Sequence, residues 1–279
     1  MPNCCGGEIK GRLFGLMPSD PCFARFISPT SNPVYFEDPR TLTEVRTIFV
    51  ENRIPTPAGG GDYQAYLIQA RAALTQRLSL IMTKSGWFNF NSPGLADGDG
   101  FADINAGLKV NLIRGLDSRY LLSGGITYES PVGQADVLQG QGDGAVYSFL
   151  TQGWEFMPCT HWLSAVGYRV PVERAAGTQL LHWSNHIDRE FVPNVYGFFE
   201  VDWFIWNRSG QTFPGDLAGG DLIDLGATDV AGNQVVTATV GPTWKPWCNV
   251  EVSGGFEYPL TNRRDLWQHR AYAHVIWRY

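Results

Sequence analysis

The chain has 279 residues and a formal net charge of −6, with 17% charged residues, 13% aromatic residues and 32 glycines. A soluble globule usually carries about 25% charged residues, so this chain is short of charge, and its acidic balance argues against nucleic acid as a partner. Mean hydropathy is −0.15, and no apolar run nears the roughly 18 residues that a membrane helix needs, which excludes a helical membrane protein. Alternation of apolar and polar residues reconciles these facts, because one face can then meet lipid while the average stays near zero.

In chain order, residues 1–40 come first. They hold many Pro and Gly residues with weak periodicity and are expected to form an irregular N-terminal segment, either a periplasmic strap or a plug. Cys4 and Cys5 stand near the start without the apolar stretch that should precede a lipidation site. No export signal opens the chain, so it is expected either to begin after cleavage or to carry a misassigned start.

From about residue 41 to 279 the chain reads as β-barrel. Twelve strands are predicted at 43–54, 63–74, 78–90, 101–113, 120–130, 146–156, 161–170, 179–190, 196–207, 235–245, 250–259 and 268–279. Several show period-2 alternation. In 101–112, Ala102, Ile104, Ala106, Leu108, Val110 and Leu112 oppose Asp103, Asn105, Gly107, Lys109 and Asn111. In 235–245, Val236, Ala238, Val240, Pro242 and Trp244 oppose Thr237, Thr239, Gly241, Thr243 and Lys245. The segments 43–54, 78–90 and 146–156 alternate poorly, and their facing stays open.

The connections alternate too. Short ones fall at 75–77, 114–119, 157–160, 191–195 and 246–249. Longer ones, rich in Gly, Pro and Asp, fall at 55–62, 91–100, 131–145, 171–178, 208–234 and 260–267. Short turns on one rim and long loops on the other are the habit of an outer-membrane barrel. Pro55, Pro131, Pro171 and Pro259 sit where strands would leave the sheet, a place that tolerates a residue without a ladder donor. Tyr128, Tyr168 and Tyr258 lie just inside that edge. Tyr120, Trp162, Trp244, Trp277 and Tyr279 lie toward the opposite edge. Two such bands suit the two membrane–water interfaces.

The last strand alternates Ala271, Ala273, Val275, Trp277 and Tyr279 with Arg270, Tyr272, His274, Ile276 and Arg278. It resembles the C-terminal signal of bacterial outer-membrane proteins, which implies the barrel-assembly machinery as a partner. The stretches FISPTSNPVYFEDPRTLTEVRT (26–47), HWLSAVGYRVPV (161–172), HWSNHIDRE (182–190) and the final strand region 258–279 resemble a bacterial family of transporter-type outer-membrane barrels. That family is close to the barrels labelled "putative meta-pathway of phenol degradation". The resemblance implies an outer-membrane channel or transporter and leaves its solute open.

With apolar faces on lipid, Arg71, Asp103, Lys109, Glu129, Arg169, Asp188, Glu200, Asp202, Lys245, Glu251, Glu257, Arg270, His274 and Arg278 are expected to line the lumen. They form either rings that select ions or a salt-bridge network filling a narrow barrel. Glu200 and Asp202 share a face and suit a cation or polar solute, or arginines across the barrel. Asp97, Asp99 and Asp103 partly match a calcium loop without its closing Glu, so an acidic outer loop is expected there and no metal or cofactor. Ser184, Asn185 and His186 are reminiscent of an outer-membrane phospholipase set, but only Ser184 and His186 can share a face. Cys22, Cys159 and Cys248 are expected near the periplasmic rim, where a disulfide is feasible. A channel for small solutes is the leading function. An anchoring barrel with a filled lumen, an outer-membrane hydrolase and a soluble β-sandwich are the alternatives.

Overall fold

The computed structural model describes residues 14–279, so Cys4, Cys5 and the opening of the chain lie outside the described residues. The strands are β1 (Glu44–Arg53), β2 (Asp62–Ala73), β3 (Leu78–Lys84), β4 (Gly86–Ser92), β5 (Ala96–Phe101), β6 (Ile104–Gly115) and β7 (Tyr120–Ser130). They continue with β8 (Ala145–Met157), β9 (Thr160–Pro171), β10 (Gln179–Val192), β11 (Val195–Arg208), β12 (Gln234–Trp247), β13 (Val250–Pro259) and β14 (His269–Arg278). All pairs are antiparallel, and all but β2–β4, β3–β6 and β1–β14 join strands consecutive in sequence. β1 pairs with both β2 and β14, so the barrel closes on itself, while β5 ladders only with β4.

Twelve staves make the wall, because two of them are broken. β2 bonds β3 along one half, with Ala70 opposite Met82, and β4 along the other, with Leu67 opposite Gly86. Next to them, β5 and β6 form the broken fourth stave, since β4 pairs with β5 and β3 with β6. The break lies at Gly86, with φ +139°, where a Cβ would come 2.1 Å from the Tyr66 carbonyl oxygen. A bulkier residue there would push the two staves apart.

Two expectations change as a result. Residues 91–100 do not form a long loop but a β4–β5 hairpin with its tip at 93–95. Ala102, expected beside Ile104 on the lipid face, is buried, and its N–H donates to the Gly86 carbonyl at 3.0 Å. The alternation expected from Ala102 begins only at Ile104, after the break.

Turns at 74–77, 116–119, 158–159, 193–194 and 248–249 gather on one rim. The segments 54–61, 131–144, 172–178, 209–233 and 260–268 gather on the other. The facing left open in three segments is settled by burial. β1 turns Glu44, Arg46, Ile48, Val50 and Asn52 inward, and β8 turns Ala145, Tyr147, Phe149 and Thr151 inward. In β3, Ser79, Ile81 and Thr83 point inward.

The outer face is apolar and uncovered. Val45, Ile68, Leu108, Val110, Ile126, Leu150, Phe199, Val240, Phe256 and Val275 are each between 40% and 61% exposed. Among the described residues no second layer of protein packs on them, so hydrocarbon is the solvent this face fits. The core lies inside the wall instead. Phe23, Phe26 and Phe36 pack against Leu121, Leu163 and Ala165 toward the short-turn rim. Leu222, Ile223, Leu225 and Val230 of the long segment 209–233 pack with Phe204, Trp206 and Trp267 toward the other rim.

Candidate functional site: the occupied lumen

Every side chain expected to face inward is buried in the interior: Arg71, Asp103, Lys109, Glu129, Arg169, Asp188, Glu200, Asp202, Lys245, Glu251, Glu257, Arg270, His274 and Arg278. Their partners are the informative part. The wall charges bond two segments that enter the lumen more than they bond each other.

Residues 21–43 cross the lower half. The Arg71 guanidinium on β2 grips Glu37 at 2.8 and 2.6 Å and reaches Glu44 at 3.0 Å. Lys109 on β6 donates to Glu37 at 2.6 Å and to the Asp38 carbonyl at 2.7 Å. On the far wall Glu200 accepts from the backbone N–H groups of Thr30 and Ser31 at 2.7 and 2.6 Å. The Ser31 hydroxyl lies between Glu200 and Asp202, at 2.5 and 2.7 Å. Lys245 donates to the carbonyls of Ala24 and Phe26, both at 2.7 Å. Arg278 donates to Glu44, Glu251 and the Ser28 hydroxyl, each at 2.7 Å. Within the segment, Arg40 closes on Asp38 at 2.6 Å.

The upper half is held by the long outer segment. Arg270 donates to Asp221 at 2.8 Å, to Asn52 at 2.8 Å and to the Tyr63 hydroxyl at 2.7 Å. Glu257 accepts from the Tyr272 hydroxyl at 2.6 Å. Arg169 reaches Asp224 at 2.5 Å and Glu129 at 3.3 Å, and Lys84 donates to Glu129 at 2.6 Å. The void among Lys84, Glu129, Arg169 and Asp224 measures about 20 Å³, room for about one water. Asp103 sits beside the stave break and accepts from the N–H groups of Gly133 and Gly140, both at 2.9 Å, pinning the loop at 131–144.

A line of polar side chains climbs β9 to β11. His161 meets Asp188 at 2.7 Å, Asp188 meets His186 at 3.1 Å, and His186 meets Glu200 at 2.6 Å. Ser184 and His186 share the inner face, while Asn185 points out and accepts from the Trp162 indole at 3.2 Å. His186 is fully engaged by carboxylates, and Ser184 takes the Asn32 amide at 2.9 Å. Ser184 also lies 3.4 Å from His182 Nδ1, while His182 Nε2 is taken by the Tyr147 hydroxyl.

In the outer loop, Asp265 has its carboxyl pushed up to about 6 by burial, which outweighs the Arg263 guanidinium that bonds it at 2.7 Å. It also accepts from the Ala218 N–H at 3.1 Å, tying the loop 260–268 to the segment 209–233.

Tyr128, Tyr168 and Tyr258 sit at the long-loop rim, with hydroxyls bonded to the Asp143 carbonyl, Gln179 and Arg264. Tyr120, Trp162, Trp244 and Trp277 sit toward the short-turn rim, joined by Trp154 and Trp247, which sequence reasoning missed. Between the two bands, the outer wall over β14, β1, β2 and the β4–β5 hairpin carries an apolar groove of about 920 Å³ lined by Phe49, Tyr66, Trp87, Phe101 and Val275. Its lining joins the exposed Tyr66, Phe101 and Val275 to the inward-facing Ile48, Ser253 and His274. Among the described residues no cluster of His, Cys, Asp or Glu could hold a metal. The acidic stretch 97–101 is spent on the β4–β5 ladder. Cys22 and Cys159 are free thiols and Cys248 is disulfide-bonded, so these three do not pair among themselves.

No family model matches the chain, and no curated protein matches it. Solved structures do. The NanC porin superposes with a TM-score of 0.54 at 7% identity, over 85% of this chain and 99% of that one. The COG4313 outer membrane channel from Pseudomonas putida F1 gives 0.56 at 8% identity, over 91% and 100%. The β domain of the Bordetella autotransporter BrkA gives 0.50 at 13% identity, over 85% and 99%. The fold is that of outer-membrane β-barrels. With its uncovered apolar belt, the chain belongs in the outer membrane. Porins and an autotransporter domain stand side by side among these neighbours, so the fold alone does not select a task.

Proposed function

We propose that this barrel is an outer-membrane channel or transporter for small solutes, and that its N-terminal segment and long outer loop occupy the lumen until one of them moves. One observation carries this: the wall holds residues 21–43 through charges and hydrogen bonds, from Arg71, Lys109, Glu200, Asp202, Lys245 and Arg278. An apolar seam would be costly to wet. A polar one leaves a surface that water and a polar solute can take over when the segment withdraws. In this reading the described part of the segment 1–40 acts as a plug against the barrel of 41–279. Arg71, Asp103, Lys109, Glu129, Arg169, Glu200, Asp202, Lys245, Glu251, Glu257, Arg270 and Arg278 make the solute pathway. The Tyr and Trp bands seat the barrel at the membrane interfaces, and the assembly machinery reads the final strand. The reading is non-enzymatic. The resemblance to the barrels labelled for phenol degradation stays a proposal of kinship and leaves the solute open.

The small void left between Glu129 and Arg169 favours a second reading, an anchoring barrel with a filled lumen. Single-channel recording in a planar bilayer separates the two. The full chain should show discrete openings, more frequent once Glu37→Gln weakens the plug. Silence from both proteins would establish the anchor and end the channel proposal.

A further inference from the structure

Arg46 on β1 and His274 on β14 are diagonal neighbours inside the barrel, 1% and 2% exposed. Arg46 Nη2 lies 2.5 Å from His274 Nδ1. A guanidinium only donates, so Nδ1 must accept, and the neutral imidazole then carries its proton on Nε2. That Nε2 has no partner, and neither has Arg46 Nε. Two buried donors on touching residues therefore lack an acceptor.

The Arg46 guanidinium also lacks a direct ion pair, although Glu44, Glu251 and Glu200 attract it from farther away. Among the described residues no carboxylate lies within 4.0 Å of Arg46, whereas Arg40, Arg71, Arg169, Arg270 and Arg278 each hold at least one. The three acidic groups that attract it are committed elsewhere, Glu200 to His186 and to the Thr30 and Ser31 N–H groups. Glu44 serves Arg71 and Arg278, and Glu251 serves Arg278 and the Ser28 N–H. Arg71 and Arg278 add further positive potential at His274. A buried cation without a counter-ion is strongly unfavourable. A water could accept from the orphan donors, but it would not neutralise the guanidinium.

We propose that a compact monovalent anion, a halide or the carboxylate of a small solute, binds beside Arg46 and His274 on the inner wall at the β1–β14 seam. It supplies the missing counter-charge and an acceptor for the orphan N–H groups. The site does not depend on whether the lumen conducts.

The test uses the full chain in detergent, with sodium gluconate holding ionic strength fixed while bromide, chloride or acetate replaces it. The thermal midpoint should rise and saturate with at least one of the compact anions, since a ligand that binds only the folded state stabilises by mass action. Saturation with halide alone marks an inorganic ion, and with acetate alone a solute carboxylate. Arg46→Met should lose the dependence. Should that variant fail to fold, crystals grown in bromide or acetate decide, with bromide anomalous density or acetate density beside Arg46 Nε expected. A midpoint indifferent to all three anions, water alone at the site, or a dependence that persists in Arg46→Met overturns the proposal.

Discussion

Arg71 and Glu37 face each other in a two-pronged ion pair, 2.8 and 2.6 Å, that ties the N-terminal segment to the wall of β2. Both side chains are almost fully buried, and Lys109 completes the carboxylate from β6 at 2.6 Å. Removing the negative charge leaves two cations facing a neutral amide. Glu37→Gln should cost about 3 kcal/mol, the lower end for breaking a buried pair, because Glu44 still serves Arg71. Urea unfolding in lipid vesicles measures this. An unchanged midpoint would mean that the segment is held by its apolar contacts at Phe23, Phe26 and Phe36.

At the other rim Arg270 is the tie for the long segment 209–233. It bonds Asp221 and lies over the Trp267 ring, with 5.0 Å to the centroid. Arg270→Met keeps the stem and removes the charge, leaving Asp221 buried without its cation. Limited proteolysis of the membrane-inserted protein should then cut within 209–233 faster, by about tenfold for each 1.4 kcal/mol lost from the closed state. Equal cleavage rates would show that Leu222, Ile223 and Leu225 suffice to hold the segment.

The same rim carries a pH dependence. Asp265 has its carboxyl raised to about 6, above its value in an unfolded chain near 3.9. Between those values the folded state binds more protons than the unfolded one, so stability falls as pH rises through this window. Below about 4 and above about 6 this group adds no slope. Asp265→Asn should flatten the thermal midpoint between pH 4 and 6. A wild-type slope of the opposite sign, or one that survives in the variant, would count against Asp265 as its source.

Much of this arrangement could be read from the sequence, for a physical reason. Where a strand meets lipid on one side and charge on the other, as in β6 with Leu108 against Lys109, the period of two is plain. β1 hid its facing because its inner side mixes Glu44 and Arg46 with Ile48 and Val50, which pack on inner segments. Arg46 was missed for that reason. The broken staves were hidden because Gly86 and Ala102 carry no hydropathy signal for a kink. Glu37, Asp38, Asp221 and Asp224 sit in irregular segments, where no periodicity says that a carboxylate turns inward to meet an arginine. Their wall partners, Arg71, Arg169 and Arg270, were legible from alternation alone.

The chain end offers a last test, because its backbone and its ring have separable jobs. The Tyr279 N–H donates to the Thr43 carbonyl at 2.9 Å, and the Tyr279 carbonyl accepts from the Ser19 N–H at 2.6 Å. Both bonds survive Tyr279→Ser, as does the interior grip of Arg278 on Glu44 and Glu251. Tyr279 is half-buried, so the folded interior should lose about 1 kcal/mol, as single substitutions commonly do. Assembly should suffer more, if the terminal aromatic is what the insertion machinery reads. The fraction of protein recovered as heat-resistant folded barrel in outer membranes should fall, while protein refolded in detergent unfolds at a urea midpoint only slightly lowered. Full recovery in membranes would assign the ring no part in insertion.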